Sequence, residues 1–326
     1  MNIFNIDLHI SVISDIKQIL TKQGHNITDI CMSQHAFLLN KSTLSTKIIN
    51  ANNWKNLDKE MCNTFYNEYK SELSNYDAFI CCYPPSFAML YEKFDKPIII
   101  QVPIRLETPF ENSQYKLKYF IDFLQNGIDN KQIIPLCNNK YDKKYCEELT
   151  NREWTHIPSL CKYTKINNLN DSKFILYSKI PIEPNHNCVV NKPATYDWNF
   201  FNNISGVIHI PYNISTMSIF EQYSGNVPLF FPTIDFLIEL ANKKYALTEI
   251  SWTDIVLPDK KWINLADYYD NEWMPHIEYF NTFSELKNKI ENINTREISN
   301  KMREFNKIRE EKIDQLWKKQ FNEYNN

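Results

Sequence analysis

Two rounds of short apolar runs alternating with helix-length amphipathic stretches constrain this chain more than any other feature of it. Residues 3–6, 26–31, 78–82, 97–102 and 132–136 read as buried strands, and 11–22, 57–73, 87–94 and 114–125 as helices between them. Parallel strands need crossovers of about a dozen residues, usually helical, and that is the rhythm of the chain. The pattern lapses into polar residues between 156 and 171 and then restarts, with strands expected at 174–177, 207–210 and 229–231 and helices at 216–223 and 234–241. A lapse between two such cycles predicts a linker, so two doubly wound α/β domains are expected, over 1–160 and 161–326. Beyond an aromatic-rich region (Trp252, Trp262, Tyr268, Tyr269, Trp273), residues 283–326 are charged and helical, and most of that length is expected to be a solvated face.

A chain of 326 residues suits two domains better than one core. Its net charge of −3 gives no global attraction for phosphate backbones, so nucleic acid is not an expected partner and an anionic ligand needs a local site. No stretch is long and charge-free enough for a transmembrane segment, and residues 1–7 carry no cationic leader, which predicts a cytoplasmic location. The eight cysteines (Cys31, Cys62, Cys81, Cys82, Cys137, Cys146, Cys161, Cys188) form no C-x-x-C pair and are expected as buried thiols. Richness in Asn, Lys and Ile points to an AT-rich genome, such as that of a large DNA virus or an AT-rich protist; a viral enzyme would act in the host cytoplasm.

Glycine occurs only at Gly24, Gly127, Gly206 and Gly225. That excludes a G-x-G-x-x-G dinucleotide site and a P-loop. Turns that need positive φ are expected to fall largely to asparagine.

Ligands of open α/β sheets sit outside the carboxyl ends of the strands, so the residues just after each strand are the candidates. In residues 206–232 a buried strand runs to His209 and Ile210, the turn Pro211-Tyr212-Asn213-Ile214 follows, and a helix begins near Ser215, with Thr216 and Ser218 adding hydroxyls. The free N–H groups and positive dipole end of such a helix start favour an anion. Glu221, at i+3 from Ser218, shares its face. An ordinary cap at Ser215 and a solvated turn at Glu221 account for the same residues. The run Ser218-Ile219-Phe220-Glu221, followed by Gly225-Asn226-Val227-Pro228-Leu229, resembles the donor-binding segment of GT-B glycosyltransferases.

The resemblance implies two Rossmann-like domains facing across a cleft (GT-B type), with a long C-terminal helix crossing back to the first. It implies a nucleoside-diphosphate sugar, UDP foremost, held in the second domain by Glu221 at the ribose and by His209, Tyr212, Asn213, Ser215, Thr216 and Ser218. Lys179, just after the strand at 174–177, would meet the diphosphate, although a solvent-exposed lysine fits that place equally. Retaining members with an E-x7-E pattern carry an acid eight residues before this glutamate; Asn213 stands there, which points to inversion.

On the other side, Asp7-Leu8-His9 follows the first strand and Gly24-His25 closes the next helix, as in many GT-B enzymes. The resemblance implies His9 as general base on an acceptor hydroxyl, with Asp7 orienting its ring; capping or packing at a strand end is the other role open to this histidine. Arg105 and Glu107 follow another strand, Arg105 as an acceptor ligand and Glu107 as a further catalytic carboxylate, or the two as an ion pair stiffening a proline-bounded loop. There is no D-x-D, His156, His186 and His276 lack a partner at i+3 or i+4, and no G-x-S-x-G is present, so neither metal nor cofactor is expected. The expected function is metal-independent, inverting hexosyl or pentosyl transfer to a glycan or other hydroxyl acceptor. A non-catalytic glycan- or nucleotide-binding protein and a nucleotide-sugar epimerase on the same scaffold are the alternatives.

Overall fold

A computed structural model describes residues 1–169, 173–179, 189–193, 197–249 and 260–324. The chain divides into two units, one formed by Met1–Ser159 together with residues from Asp314 onward, the other by Leu160–Ile313.

The first unit contains β1 (Asn2–Asp7), α1 (Ile10–Lys22), β2 (Asn26–Cys31), α2 (Lys59–Leu73), β3 (Ala78–Cys81), β4 (Ile98–Val102), α3 (Gln114–Asp129), β5 (Ile133–Cys137), α4 (Lys140–Thr150) and β6 (Thr155–His156). Its strands form one parallel sheet in the order β2-β1-β3-β4-β5-β6. Every residue of β3 and β4 is buried, as a parallel strand covered on both faces requires. Asp58, Ser113 and Asn139 start α2, α3 and α4 by accepting the N–H of Met61, Lys116 and Asp142. Residues 87–94, expected as a helix, lie in a 3₁₀ run, Pro85–Phe94.

The second unit contains β7 (Phe174–Tyr177), β8 (Val189–Asn191), β9 (Gly206–His209), α5 (Met217–Ser224), β10 (Leu229–Pro232), α6 (Ile234–Asn242), α7 (Lys260–Ile263), β11 (Glu278–Phe280), α8 (Phe283–Asn292) and the first part of α9 (Thr295–Tyr324). Its sheet is also parallel, ordered β11-β10-β9-β7-β8. Counted from its own first strand, each sheet therefore runs 2-1-3-4-5, and the first adds a sixth strand. The order reverses between β1 and β3 in one unit and between β7 and β9 in the other, and these reversals are where doubly wound sheets bind ligands.

Three expectations need refinement. The stretch from 156 to 171, expected as the linker, holds the boundary between the units at Ser159, but over its described part it is not a loose connection: Ile166 packs so tightly at the end of α5 that a Cβ at Gly225 would lie 2.4 Å from its Cγ2. The Leu160 carbonyl accepts the Ser224 hydroxyl, and the Asn168 amide donates to the carbonyls of Phe201 and Ile204 at 2.8 and 2.9 Å. Nor is α9 mainly a solvated face. Ile298, Met302, Asn306, Arg309, Ile313, Trp317 and Phe321 are buried at helical spacing. Asn306 donates to the Tyr223 carbonyl and to Asn226 Oδ1, each at 2.9 Å, and Arg309 Nη1 to Ser224 Oγ at 3.1 Å. Farther along, Phe321 stacks on His25 at 4.6 Å and Asp314 Oδ1 accepts from Gln23 at 2.9 Å. Finally, eleven described residues other than glycine have positive φ and only Asn40, Asn151 and Asn226 of them are asparagine, so the left-handed turns are shared among several residue types.

The seven described cysteines are buried free thiols. Cys188, His186 and Trp252 lie outside the described residues. No helix among the described residues is long and apolar enough to cross a membrane.

Candidate functional site

At the reversal in the first sheet, Asp7 ties two strand ends together. Its Oδ2 accepts the N–H groups of Cys82 and Tyr83 at 3.1 and 3.0 Å, and its Oδ1 accepts the N–H of His9 at 2.6 Å. Leu8 adds a backbone bond to the Tyr83 carbonyl at 2.8 Å. Burial pushes the Asp7 carboxyl up to about 7, against the pull of its N–H donors. The expectation that Asp7 orients the His9 ring is thus corrected: its oxygens accept three backbone N–H groups and the Cys82 thiol, and what Asp7 fixes is the turn carrying the histidine.

His9 occupies the N-cap of α1 without capping it through its side chain. Its ring meets Tyr83 edge to face at 6.2 Å. Its Nδ1 is buried and unpartnered. Burial pushes the imidazole down to about 4, with repulsion from the neighbouring His35 adding a smaller push, so the ring is neutral at pH 7.

Tyr83 links this turn to the residues after β4. Its phenol bonds the Thr108 side chain and feels Arg105 and Glu111, and Thr108 donates in turn to Glu111 at 2.8 Å. Arg105 is half-buried with φ of 54°. Glu107 accepts the Tyr145 hydroxyl while its Oε2 is buried without a partner; burial holds its carboxyl above the ordinary range, with Glu111 adding to the effect. Asp142, at the start of α4, is buried and pushed up to about 7, with Glu107 contributing by repulsion. His9, Asp7, Arg105 and Glu107 therefore share one carboxyl edge. Tyr83, Thr108 and Asp142 complete it. Of these, Tyr83 carried a sequence signal in its place directly after a buried strand, and Asp142 one in the Asn139 cap three residues before it.

The largest local expectation concerns Asp7. Asp7→Asn keeps the shape but sets an amide N–H₂ against one or more backbone N–H donors, so a loss of about 1–3 kcal/mol in urea unfolding is expected.

At the reversal in the second sheet, the residues fall into two groups. His209 is buried between aromatic rings, stacked on Phe231 at 4.7 Å with Tyr177 at 5.1 Å, and its Nε2 pairs with Gln222 Oε1 at 2.7 Å. Burial pushes it down to about 4, so it is a neutral wall of the edge. Asn213 is buried and turned onto the Ile214 N–H at 2.8 Å. Ser215 is buried too, donating to Asp267 at 2.5 Å, which sets a carboxylate beside the start of α5.

The second group reaches solvent. Thr216 and Ser218 are half-buried, with their hydroxyls 3.0 Å apart, and the Thr216 side chain makes no cap bond. Lys179 rests 3.9 Å over the Tyr212 ring and pairs with Glu249. Glu221 lies deeper: its Oε1 accepts the Tyr163 hydroxyl at 2.5 Å and its Oε2 the Trp198 indole N–H at 3.3 Å. Tyr163, Trp198 and Asp267 were not read from the sequence, since they lie 58, 23 and 52 positions from the residues they bind. Among the described residues no three His, Cys, Asp or Glu side chains are placed to hold a metal ion.

No family model and no curated protein matches the chain. The solved structures that the chain matches include glycosyltransferases. The calicheamicin glycosyltransferase CalG4 is 8% identical with a TM-score of 0.44, each chain covered to 98%. SnogD from Streptomyces nogalater is 9% identical at a TM-score of 0.47, with 98% of this chain and 99% of that one covered. The spinosyn rhamnosyltransferase SpnG, solved with spinosyn aglycone, is 9% identical at 0.42, covering 94% and 96%. At these scores no residue and no activity carries over to this chain, and the two parallel sheets stand on their own hydrogen bonding.

Proposed function

We propose that the chain is a glycosyltransferase of the GT-B type, taking a nucleoside-diphosphate sugar at the edge of its second sheet and a hydroxyl acceptor at the edge of its first. The observation that carries this reading is that both sheets have one topology and both reversals hold suitable groups. In the second unit the half-buried hydroxyls of Thr216 and Ser218 sit at a helix start with Lys179 on the adjoining strand end, a setting for a diphosphate without a metal. Tyr212 backs the lysine, while His209, Asn213 and Ser215 shape the turn from behind. Glu221, which accepts from Tyr163 and Trp198 at the edge of the same turn, is the acceptor for the ribose hydroxyls. In the first unit the neutral His9 takes the acceptor proton, Glu107 is the next candidate base and Arg105 an acceptor ligand. With Asn213 eight positions before Glu221, direct inverting displacement is the simpler course. UDP is the first carrier to test, and a soluble cytoplasmic enzyme acting on a glycan or other hydroxyl compound is the setting.

The test is nucleotide binding in the presence of a chelator. UDP is expected to raise the melting temperature without divalent metal, by mass action on the native state. No shift with UDP, GDP, dTDP or CDP would remove the donor site. Glu221→Ala is expected to weaken the bound nucleotide by about 1–3 kcal/mol, the scale of a charge-assisted hydrogen bond, and unchanged affinity by calorimetry would move the ribose elsewhere.

A further inference from the structure

The loop that follows β2 leaves the same carboxyl edge as His9 and holds apolar side chains out to water. Its ends are pinned: Leu44 N–H donates to the Cys31 carbonyl at 2.9 Å and the Thr43 hydroxyl to the Ser33 carbonyl at 3.1 Å. Its tip is a 3₁₀ turn, Ala36–Leu39, in which Ala36 is buried while Phe37 is 65% and Leu38 37% exposed; Leu44 is 50% exposed. Three of the nine exposed large apolar side chains among the described residues thus fall within eight positions. A loop fixed by hydrogen bonds in a form that hydrates a phenyl ring and two leucines gives up about 25 cal/mol for each Å² left wet. Clustered apolar exposure of that kind marks a binding surface.

The surface adjoins the reacting edge. His35 opens the 3₁₀ turn, its ring lies 6.3 Å from that of Phe37, and it is near enough to His9 to oppose its protonation. Resting on the transfer reading above, we propose that Phe37, Leu38 and Leu44 bind the apolar body of the acceptor, whose hydroxyl is thereby presented to His9. The acceptor is then a compound with an apolar ring or chain beside its hydroxyl. A chain of sugars would need polar partners, and these three side chains supply none. A bilayer is disfavoured because residues 33–44 include one lysine, Lys41, and it is paired with Asp29 at 3.4 Å; attachment to an anionic membrane calls for several cations.

The experiment titrates the full chain with 2-naphthol, with cellotetraose as the polar comparison, and compares F37S/L38S. The wild type is expected to bind 2-naphthol in preference to cellotetraose. The double change should weaken 2-naphthol about tenfold or more, as loss of a buried phenyl contact implies. L44S should weaken it less, and the melting temperature should hold, since these positions are on the surface. Equal naphthol affinity in the variant, no naphthol binding by the wild type, or a preference for cellotetraose overturns the proposal. So does co-sedimentation of the wild type with phosphatidylcholine–phosphatidylserine vesicles that F37S/L38S abolishes, which makes the loop a membrane contact. UDP titration of the same samples reads the donor edge separately: UDP binding lost with naphthol binding intact defeats the transfer reading alone, and the reverse pattern defeats only the apolar surface.

Discussion

His9→Ala is expected to lower transfer by about 10²–10⁴-fold while leaving nucleotide affinity unchanged. A hydroxyl is a poor nucleophile until its proton has a destination, and in the proposed transfer that destination is the neutral imidazole at the end of β1. The proposed donor ligands belong to the other unit, so the substitution should act on kcat rather than on UDP binding. The pH dependence adds a second mark. Burial holds His9 down at about 4 instead of 6.5 and the proposed base works deprotonated, so the His9 limb of log(kcat/KM) should fall as pH passes through about 4. A limb near 7 that persists in Asp7→Asn would mean a solvated histidine or another base, since the Asp7 carboxyl is itself pushed up to about 7. Wild-type turnover in a folded His9→Ala protein would pass the role to Glu107, whose Oε2 is already buried without a partner. Asp7 is a weaker successor, because its oxygens are committed to three N–H groups.

Trp317→Ala should produce the largest loss of stability of any single change considered, about 3–5 kcal/mol in chemical unfolding. The indole is 1% exposed and near Phe321, which stacks on His25. Trp317→Phe should be far milder. The indole N–H is buried without an acceptor, so its removal recovers part of what the lost ring contacts take away. A similar loss for both variants would show that ring size, and not the polar atom, sets the energy there.

Much of the strand plan was legible because parallel strands buried on both faces are written as apolar runs with few alternatives, as in Ala78–Cys81 and Ile98–Val102. Elements that escaped reading are short or highly charged. β6 and β11 have two and three residues. In α4, Lys140, Asp142, Lys143, Lys144, Glu147 and Glu148 drown an inward face made by Asp142, Tyr145, Cys146 and Thr150; the Asn139 cap three residues before Asp142 was the available signal. The stripe of α9 was hidden by its own chemistry, since Asn306 and Arg309 read as solvated until the carbonyl, the amide oxygen and the hydroxyl they meet are known.

The site shows the same division. The strand-end rule placed His9, Arg105, Glu107, Lys179 and the 209–221 turn at sheet edges, because position along a parallel strand is a local property. What each side chain touches is not local. Whether Ser215 faces a ligand or Asp267, and whether Glu221 is open or held by Tyr163 and Trp198, depends on residues brought together by folding.

Because α9 serves both units, the order in which the chain is made differs from the order in which it can be completed. A ribosome that has released residues 1–159 has supplied the whole first sheet, yet the Asp314 and Phe321 contacts to Gln23 and His25 are still to come. At ~5–20 residues per second the intervening segment takes about 8–30 s to synthesise. For that interval the far end of α1 is uncovered and the nascent first unit is at its most open to proteases and chaperones. A chain stalled before Asp314 should be cleared as an unfinished protein even though every strand of both sheets has been made.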